Sequence, residues 1–300
     1  MNIEQDLRQI VRGRVAKDEP MAAYTTLGVG GPADYLVEVT SEDELAALMR
    51  YISQNCLPWM VLGDGANLLV SDKGIRGIVV KLGEPFTRVE VEGMKMEAGS
   101  AAKISRVADI AAKHDLSGLE GVGTVPGSLG GAIVMNAGTH KGYIDDVIES
   151  VSVVTETGEK RTLSHKECGF SYRNSRFQWD RSMIITFAVF KMGKGDGEAI
   201  AEHLESMRKH RADTQPQGKS AGCFFKNPSR LSAAKLIEGA GCKGWREGGA
   251  IVSPVHANFI MNAENATAAD LYNLAERVRL QVLEVHDVEL EYEVRLIGEW

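Results

Sequence analysis

The sequence predicts a mixed α and β protein of two or three lobes, and three observations carry that expectation. Its 300 residues exceed the roughly 150 that one domain usually takes, so several cores can be buried. Alternating apolar runs, which suit strands, are interleaved along the chain with runs of helical period. Glycine gathers between them: residues 118 to 142 hold eight of the 32 glycines in 25 positions, about three times the chain average.

The elements follow in order. YLVEV reads as a strand, and Ser41 with Glu44 makes an S-x-x-E box opening a helix that carries Leu45, Leu48 and Ile52. WMVLGDGANLLVSDKGIRGIVVKL reads strand, turn, strand. Gly63-Asp64-Gly65-Ala66-Asn67-Leu68 lacks the third glycine of a dinucleotide fingerprint and runs into LLV and IVV, so a Rossmann turn is disfavoured. A helix is expected over residues 102 to 114, with Ile104, Val107, Ala108 and Ala111 on one face. The glycine-rich segment after it makes tight turns or lets a ligand approach its backbone, where exposed N–H groups form nests for phosphate oxygens; a structural connection explains it equally. From Val151 a hairpin turning near Thr157-Gly158 and the strand MIITFAVFKM form a meander. MGKGDGEA marks a boundary. Beyond it come a helix over residues 198 to about 211, the segment SAGCFFKNP, a short helix over residues 233 to 239, and a long helix capped by Thr267 and Asp270 with Leu271, Leu274, Val278, Val282 and Val285 inward. VELEYEVRLIGEW ends the chain as an alternating strand.

Composition narrows the class. Hydrophobic residues at 44% and charged residues at 25% are those of a globular protein, and the net charge of −7 with no long basic stripe argues against nucleic acid as a partner. The first residues lack an apolar leader core, and no later segment offers about 18 uninterrupted apolar residues, so a cytoplasmic protein without membrane attachment is expected. The four cysteines, at 56, 168, 223 and 242, form no CxxC pair, which argues against metal and disulfides; two or three should be buried packing.

Four clusters could carry chemistry. Arg173 follows Tyr172 in CGFSYRNS, and its guanidinium suits a carboxylate or phosphate, although a wet strand face also explains it. Glu291, Glu293 and Arg295 line one face of LEYEVRLIG, opposite Leu290, Tyr292, Val294 and Leu296; a solvated face again suffices. Arg208, Lys209, His210 and Arg211 close a helix, where cations favour the macrodipole or attract a phosphorylated ligand. Cys223 has no partner spaced for nucleophilic catalysis, but a thiol can donate a proton.

The ordered motifs YTTLGVGGPAD, VLGDGANLLVSD, GLEGVGTVPGSLGGAIVMNAG, CGFSYRNS, SAGCFFKNP and LEYEVRLIG resemble the UDP-N-acetylenolpyruvoylglucosamine reductase family from about Tyr24 to Gly298, in its shorter, type II form. The resemblance implies an α+β fold: a two-lobed FAD-binding domain of the vanillyl-alcohol-oxidase type, over residues 1–84 and 85–194, and a substrate-binding domain over residues 195–300 to which the last strand adds active-site groups. It implies FAD, held noncovalently because no histidine lies in either glycine-rich cofactor motif, and NADPH as reductant sharing the substrate's site. The substrate implied is a UDP-sugar bearing an enolpyruvyl ether, and a monomer or weak oligomer is expected.

By motif, the cofactor falls to Gly63, Asp64, Gly65, Ala66 and Asn67, with Ala66 where the family has serine, and to Gly121, Thr124, Pro126, Gly127, Gly130, Gly131, Ala132 and Asn136. Arg173 is matched to the stabiliser of enolate-like charge formed after hydride addition, Glu293 to the glutamate that assists it, with Glu291 as runner-up, and Cys223 to the serine that donates the proton. Tyr172, Arg211, Lys226 and Asn227 are matched to substrate binding, and Arg208 is a weaker candidate.

Overall fold

Local signals in the chain become elements where they find a nonlocal partner. The computed structural model describes residues 2–139, 141–229 and 231–300. They form two units, neither of them one continuous stretch: the first joins residues 1–17, 35–64 and 77–209, and the second joins residues 18–34, 65–76 and 210–300.

The first unit holds two cores. One lies on a four-stranded sheet ordered Val15–Pro20, Pro32–Val39, Ile75–Leu82, Trp59–Leu62, in which the last two run parallel with Trp59 opposite Ile78. Helix Glu42–Gln54 covers it through buried Leu45, Leu48, Met49 and Ile52. Ser41 accepts the Glu44 N–H at 3.1 Å, as the sequence implies, but the Glu44 carboxylate reaches one residue further back, to the Thr40 N–H at 2.8 Å. The other core packs on an antiparallel sheet ordered Lys160–Ser164, Ile148–Thr155, Met183–Lys191, Lys95–Gly99, Val89–Glu92, the meander expected from the hairpin at Gly158 extended by two earlier strands. Helix Ile104–Lys113 buries Ile104, Val107, Ala108 and Ala111 there.

In the second unit, helix Ala268–His286 lies against an antiparallel sheet ordered Lys219–Ser220, Ile260–Asn262, Ala250–Val252, Arg246–Glu247. Thr267 and Asp270 form the expected reciprocal cap. Leu271, Leu274, Val278 and Val282 are buried, but Val285, expected inward, is 48% exposed: helical rotation has carried it off the inner stripe by the last turn. The expected C-terminal strand is shorter than its alternation suggests. Tyr292 makes an isolated bridge with Phe225, and regular pairing covers Arg295–Ile297, parallel to Leu68–Val70. Alternation holds in part: Leu290 and Val294 are buried and Glu291 is exposed, whereas Tyr292, Glu293, Arg295 and Leu296 are all half-buried. No helix among the described residues is long and apolar enough to cross a membrane.

Candidate active site

Within the first unit Gly63 meets the second glycine motif. A β-carbon on Gly63 would fall 2.4 Å from the Ser128 hydroxyl, so these backbones approach as closely as glycine allows. Ser128 opens helix Leu129–Val134 by accepting the Gly131 N–H. The N–H groups of Gly130 and Leu129 are donated to Ser100 and Ala102 carbonyls, so the expected Gly130 and Gly131 serve the turn's own structure. Two other expected residues behave differently: the Thr124 hydroxyl oxygen and the Asn136 side-chain carbonyl are buried and have no hydrogen-bond partner among the described residues. Buried polar atoms of this kind ordinarily find partners, so a ligand carrying donors is the natural completion. Gly121 lies against Gly142, and Pro126, Gly127 and Ala132 belong to the same turn-and-helix segment.

In the first glycine motif, Gly65 is left-handed at φ +62°, and a β-carbon there would fall 2.0 Å from the Tyr24 carbonyl. The N–H groups of Asp64, Gly65, Ala66 and Asn67 meet no protein acceptor among the described residues. Successive free amides in a tight turn make an anion cradle. Phosphate oxygens suit this cradle, as a ligand carrying donors suits Thr124 and Asn136 in the first unit.

Asn136 also links the glycine segment to the arginine motif, since its amide nitrogen donates to the Ser171 carbonyl at 3.0 Å. Ser171 and Asn174 exchange backbone hydrogen bonds around a tight turn, and Arg173 within it has φ +51°. The Gln178 amide fastens the turn, donating to the Arg173 carbonyl at 2.7 Å and the Val134 carbonyl at 3.2 Å. Arg173 is half-buried beside the Tyr172 ring, 5.7 Å from its centroid, and Tyr172 is 55% exposed. Left-handed backbone in a non-glycine residue costs energy and tends to persist where a site needs a side chain aimed one way.

Within the second unit Cys223, Glu293 and Asn67 come together through backbone. The Glu293 N–H donates to the carbonyl of Phe224, next to Cys223, at 2.9 Å. Asn67 reads the same strand from its other side: its amide donates to the Glu293 carbonyl at 2.9 Å and its carbonyl accepts the Arg295 N–H at 3.0 Å. Cys223 is half-buried. Lys226 bridges to the runner-up Glu291 at 3.2 Å. Asn227 accepts the Ala233 N–H at 3.0 Å, which gives it a helix-capping task. Arg211 lies half-buried in the last turn of helix Gly197–Thr214, whereas Arg208, in the same helix, pairs with Asp109 and Glu205.

Sequence reading missed three supports. Ser128 is one. Gln178 is another. The third is Asn258, 2% exposed, whose amide accepts the Phe225 N–H at 3.0 Å and donates to its carbonyl at 2.8 Å, clamping the chain just after Cys223. An asparagine inside the apolar stretch AIVSPVHANFIMN was its available signal.

Comparison with known proteins gives these arrangements a family. Residues 33–164 match the family described as FAD binding domain, and residues 214–297 match UDP-N-acetylenolpyruvoylglucosamine reductase, C-terminal domain. The UDP-N-acetylenolpyruvoylglucosamine reductase of Caldanaerobacter subterraneus subsp. tengcongensis is 43% identical over 98% of this chain and 97% of its own, and that of Bacillus subtilis is 38% identical over 98% and 97%. The crystal structure of the reductase from Thermus caldophilus superposes with a TM-score of 0.82 at 36% identity, covering 96% of this chain and 99% of its own. The 6-hydroxy-D-nicotine oxidase of Arthrobacter nicotinovorans, at 14% identity and TM-score 0.57 over 94% and 87%, shares the fold alone. The fold is therefore a FAD-binding domain of the vanillyl-alcohol-oxidase type followed by a C-terminal domain of the reductase, and the chain belongs to the UDP-N-acetylenolpyruvoylglucosamine reductase family of flavoprotein oxidoreductases.

Proposed function

We propose that this chain reduces UDP-N-acetylglucosamine enolpyruvate to UDP-N-acetylmuramate with NADPH, acting in the cytoplasm on the precursor of peptidoglycan, and that Cys223 donates the proton. Bound FAD supplies the hydride relay between NADPH and the terminal enolpyruvyl carbon. This chain's residues then manage charge and proton. Hydride addition breaks the double bond and leaves negative charge on the adjacent carbon and its carboxylate. Arg173, fixed in its strained turn, offers donors toward that charge, and stabilisation aimed at charge as it develops is the largest catalytic contribution such a site makes. Glu293 orients the intermediate, and the Cys223 S–H proton passes to the carbon, the thiolate recovering its proton from water.

Lys226, Arg211, Tyr172 and Asn227 are proposed to bind substrate phosphate and sugar, with Gly63 to Asn67 and Gly121 to Asn136 holding FAD noncovalently. The observation that carries the reading is the hydrogen bond from the Glu293 N–H to the carbonyl beside Cys223, which brings two chemically suited side chains from 70 positions apart onto neighbouring backbone. A thiol is several units more acidic than an alcohol, so it can replace serine as donor.

The test is stopped-flow separation of the half-reactions. Cys223→Ser is expected to keep substantial turnover. Cys223→Ala is expected to leave flavin reduction by NADPH unchanged and to slow reoxidation by the enolpyruvyl substrate about 100-fold, the usual range for losing a positioned acid. Parent-like reoxidation in Cys223→Ala would reject the thiol as donor. NADPH oxidation that continues with oxygen but ignores the substrate would reject the reaction.

A further inference from the structure

Tyr292 stands between Glu291 and Glu293, so alternation sends its side chain to the opposite face. There its ring stacks on Phe225 with centroids 5.2 Å apart and meets Phe224 edge-on at 6.1 Å. Its hydroxyl donates to the Glu276 carboxylate, midway along helix Ala268–His286. Arg279 holds that carboxylate with Nε at 3.1 and 3.2 Å and Nη2 at 2.8 Å, and its Nη1 reaches Glu289 at 3.0 Å. The Arg279 guanidinium keeps Glu276 below the usual carboxylate range, and burial, then Glu276, push the Tyr292 phenol well above its usual value. Donor and acceptor are therefore fixed throughout the neutral range.

Movement of Tyr292 would be felt on both sides of the proposed proton-transfer site. Its backbone bridges Phe225, the preceding residue receives the Lys226 N–H at 2.8 Å, and the following one donates to the Phe224 carbonyl. The helix that carries Glu276 is capped and buried along its inner face, which makes it a rigid reference.

We infer that Glu276 and Tyr292 act as a positioning pair, the hydroxyl–carboxylate contact locking the strand of Glu293 to the helix and so fixing the spacing between Glu293 and Cys223. This rests on the roles proposed above for those two residues. It adds a requirement that their own identities do not contain: correct side chains at 223 and 293 are insufficient without the helix anchor. Neither partner is among the residues proposed above to act on the substrate.

Three variants test it. Glu276→Ala removes the acceptor, Tyr292→Phe removes the hydroxyl and keeps the ring stack, and Glu276→Gln keeps an oxygen for the hydroxyl. In flavin-loaded protein, flavin reduction by NADPH is expected to be unchanged in all three. Reoxidation by the enolpyruvyl substrate is expected to slow by about 10-fold to 100-fold in Glu276→Ala and Tyr292→Phe, the size of effect that small misplacements produce, with the double variant no slower than the singles. Glu276→Gln should restore reoxidation to near the parent rate. Thermal midpoints measured alongside separate this from simple destabilisation: lowered midpoints with parent-like reoxidation would overturn the inference, as would equal slowing of both half-reactions. Glu293→Gln is the control. If it too reoxidises like the parent, the assignment of Glu293 has failed, whereas a slow Glu293→Gln beside a fast Glu276→Ala rejects the positioning pair alone.

Discussion

The four cysteines show how environment divides one residue type into separate roles. Cys168 and Cys242 are fully buried, and burial pushes each thiol up to about 11, so both are packing atoms at neutral pH. A thiol whose folded value lies above its unfolded value stabilises the fold at pH below the ordinary thiol range, and that contribution is lost as pH rises toward about 11. Cys56 is exposed and Cys223 half-buried. Iodoacetamide applied to the native protein near neutral pH is therefore expected to modify Cys56 and then Cys223, with Cys168 and Cys242 modified after denaturant is added; peptide mass spectrometry reads the order. Native modification of Cys168 as fast as Cys56 would contradict its burial. The expectation of two or three packed thiols rested on the usual fate of a free cysteine and did not say which, and burial singles out Cys168 and Cys242. The backbone neighbour of Cys223 had no local signal, because the strand of Glu293 arrives from 70 positions along the chain.

Elements whose signals are local were the most legible. Thr267 and Asp270 stand three apart, and the structure gives both halves of their cap: Asp270 N–H to the Thr267 hydroxyl at 3.0 Å, Thr267 N–H to the Asp270 carboxylate at 2.9 Å. The Asp72 carboxylate adds to it, accepting the Ala268 and Ala269 N–H groups at 2.9 Å each. That second cap comes from almost 200 positions upstream, and no local pattern announces it. Because Asp72 remains, Thr267→Ala is expected to cost about 1 kcal/mol, within the usual range for a lost N-cap, and Asp72→Ala combined with it should cost more than either alone. Urea unfolding reads both; a parent-like midpoint in the double variant would show that the helix start contributes nothing. The last strand illustrates the opposite case. Its alternation marks Leu290 and Val294 as buried, but the length of regular pairing depends on where Phe225 and Leu68–Val70 come alongside.

At the scale of the molecule, the grouping of segments was the least legible feature, because it is decided by contacts between stretches that share no pattern. The second unit takes residues 18–34 and 65–76 into the core of the C-terminal third. Leu27 and Leu69 are completely buried there and Val29 is 4% exposed. The buried Asn262 amide donates to the Leu27 carbonyl at 3.0 Å, and Leu68–Val70 is the partner strand of Arg295–Ile297. Burying each aliphatic side chain is worth about 1.5–3 kcal/mol, and an amide left buried without its acceptor costs about 1–3 kcal/mol. Against a typical total stability of about 5–15 kcal/mol, those losses remove most of what holds such a unit folded. Residues 210–300 expressed alone are therefore expected to lack a cooperative transition in urea and to bind a hydrophobic dye, while the same segment in the full chain unfolds cooperatively. A sigmoidal transition in the isolated fragment, with a slope matching its full buried surface, would show that the two upstream segments are dispensable to this core.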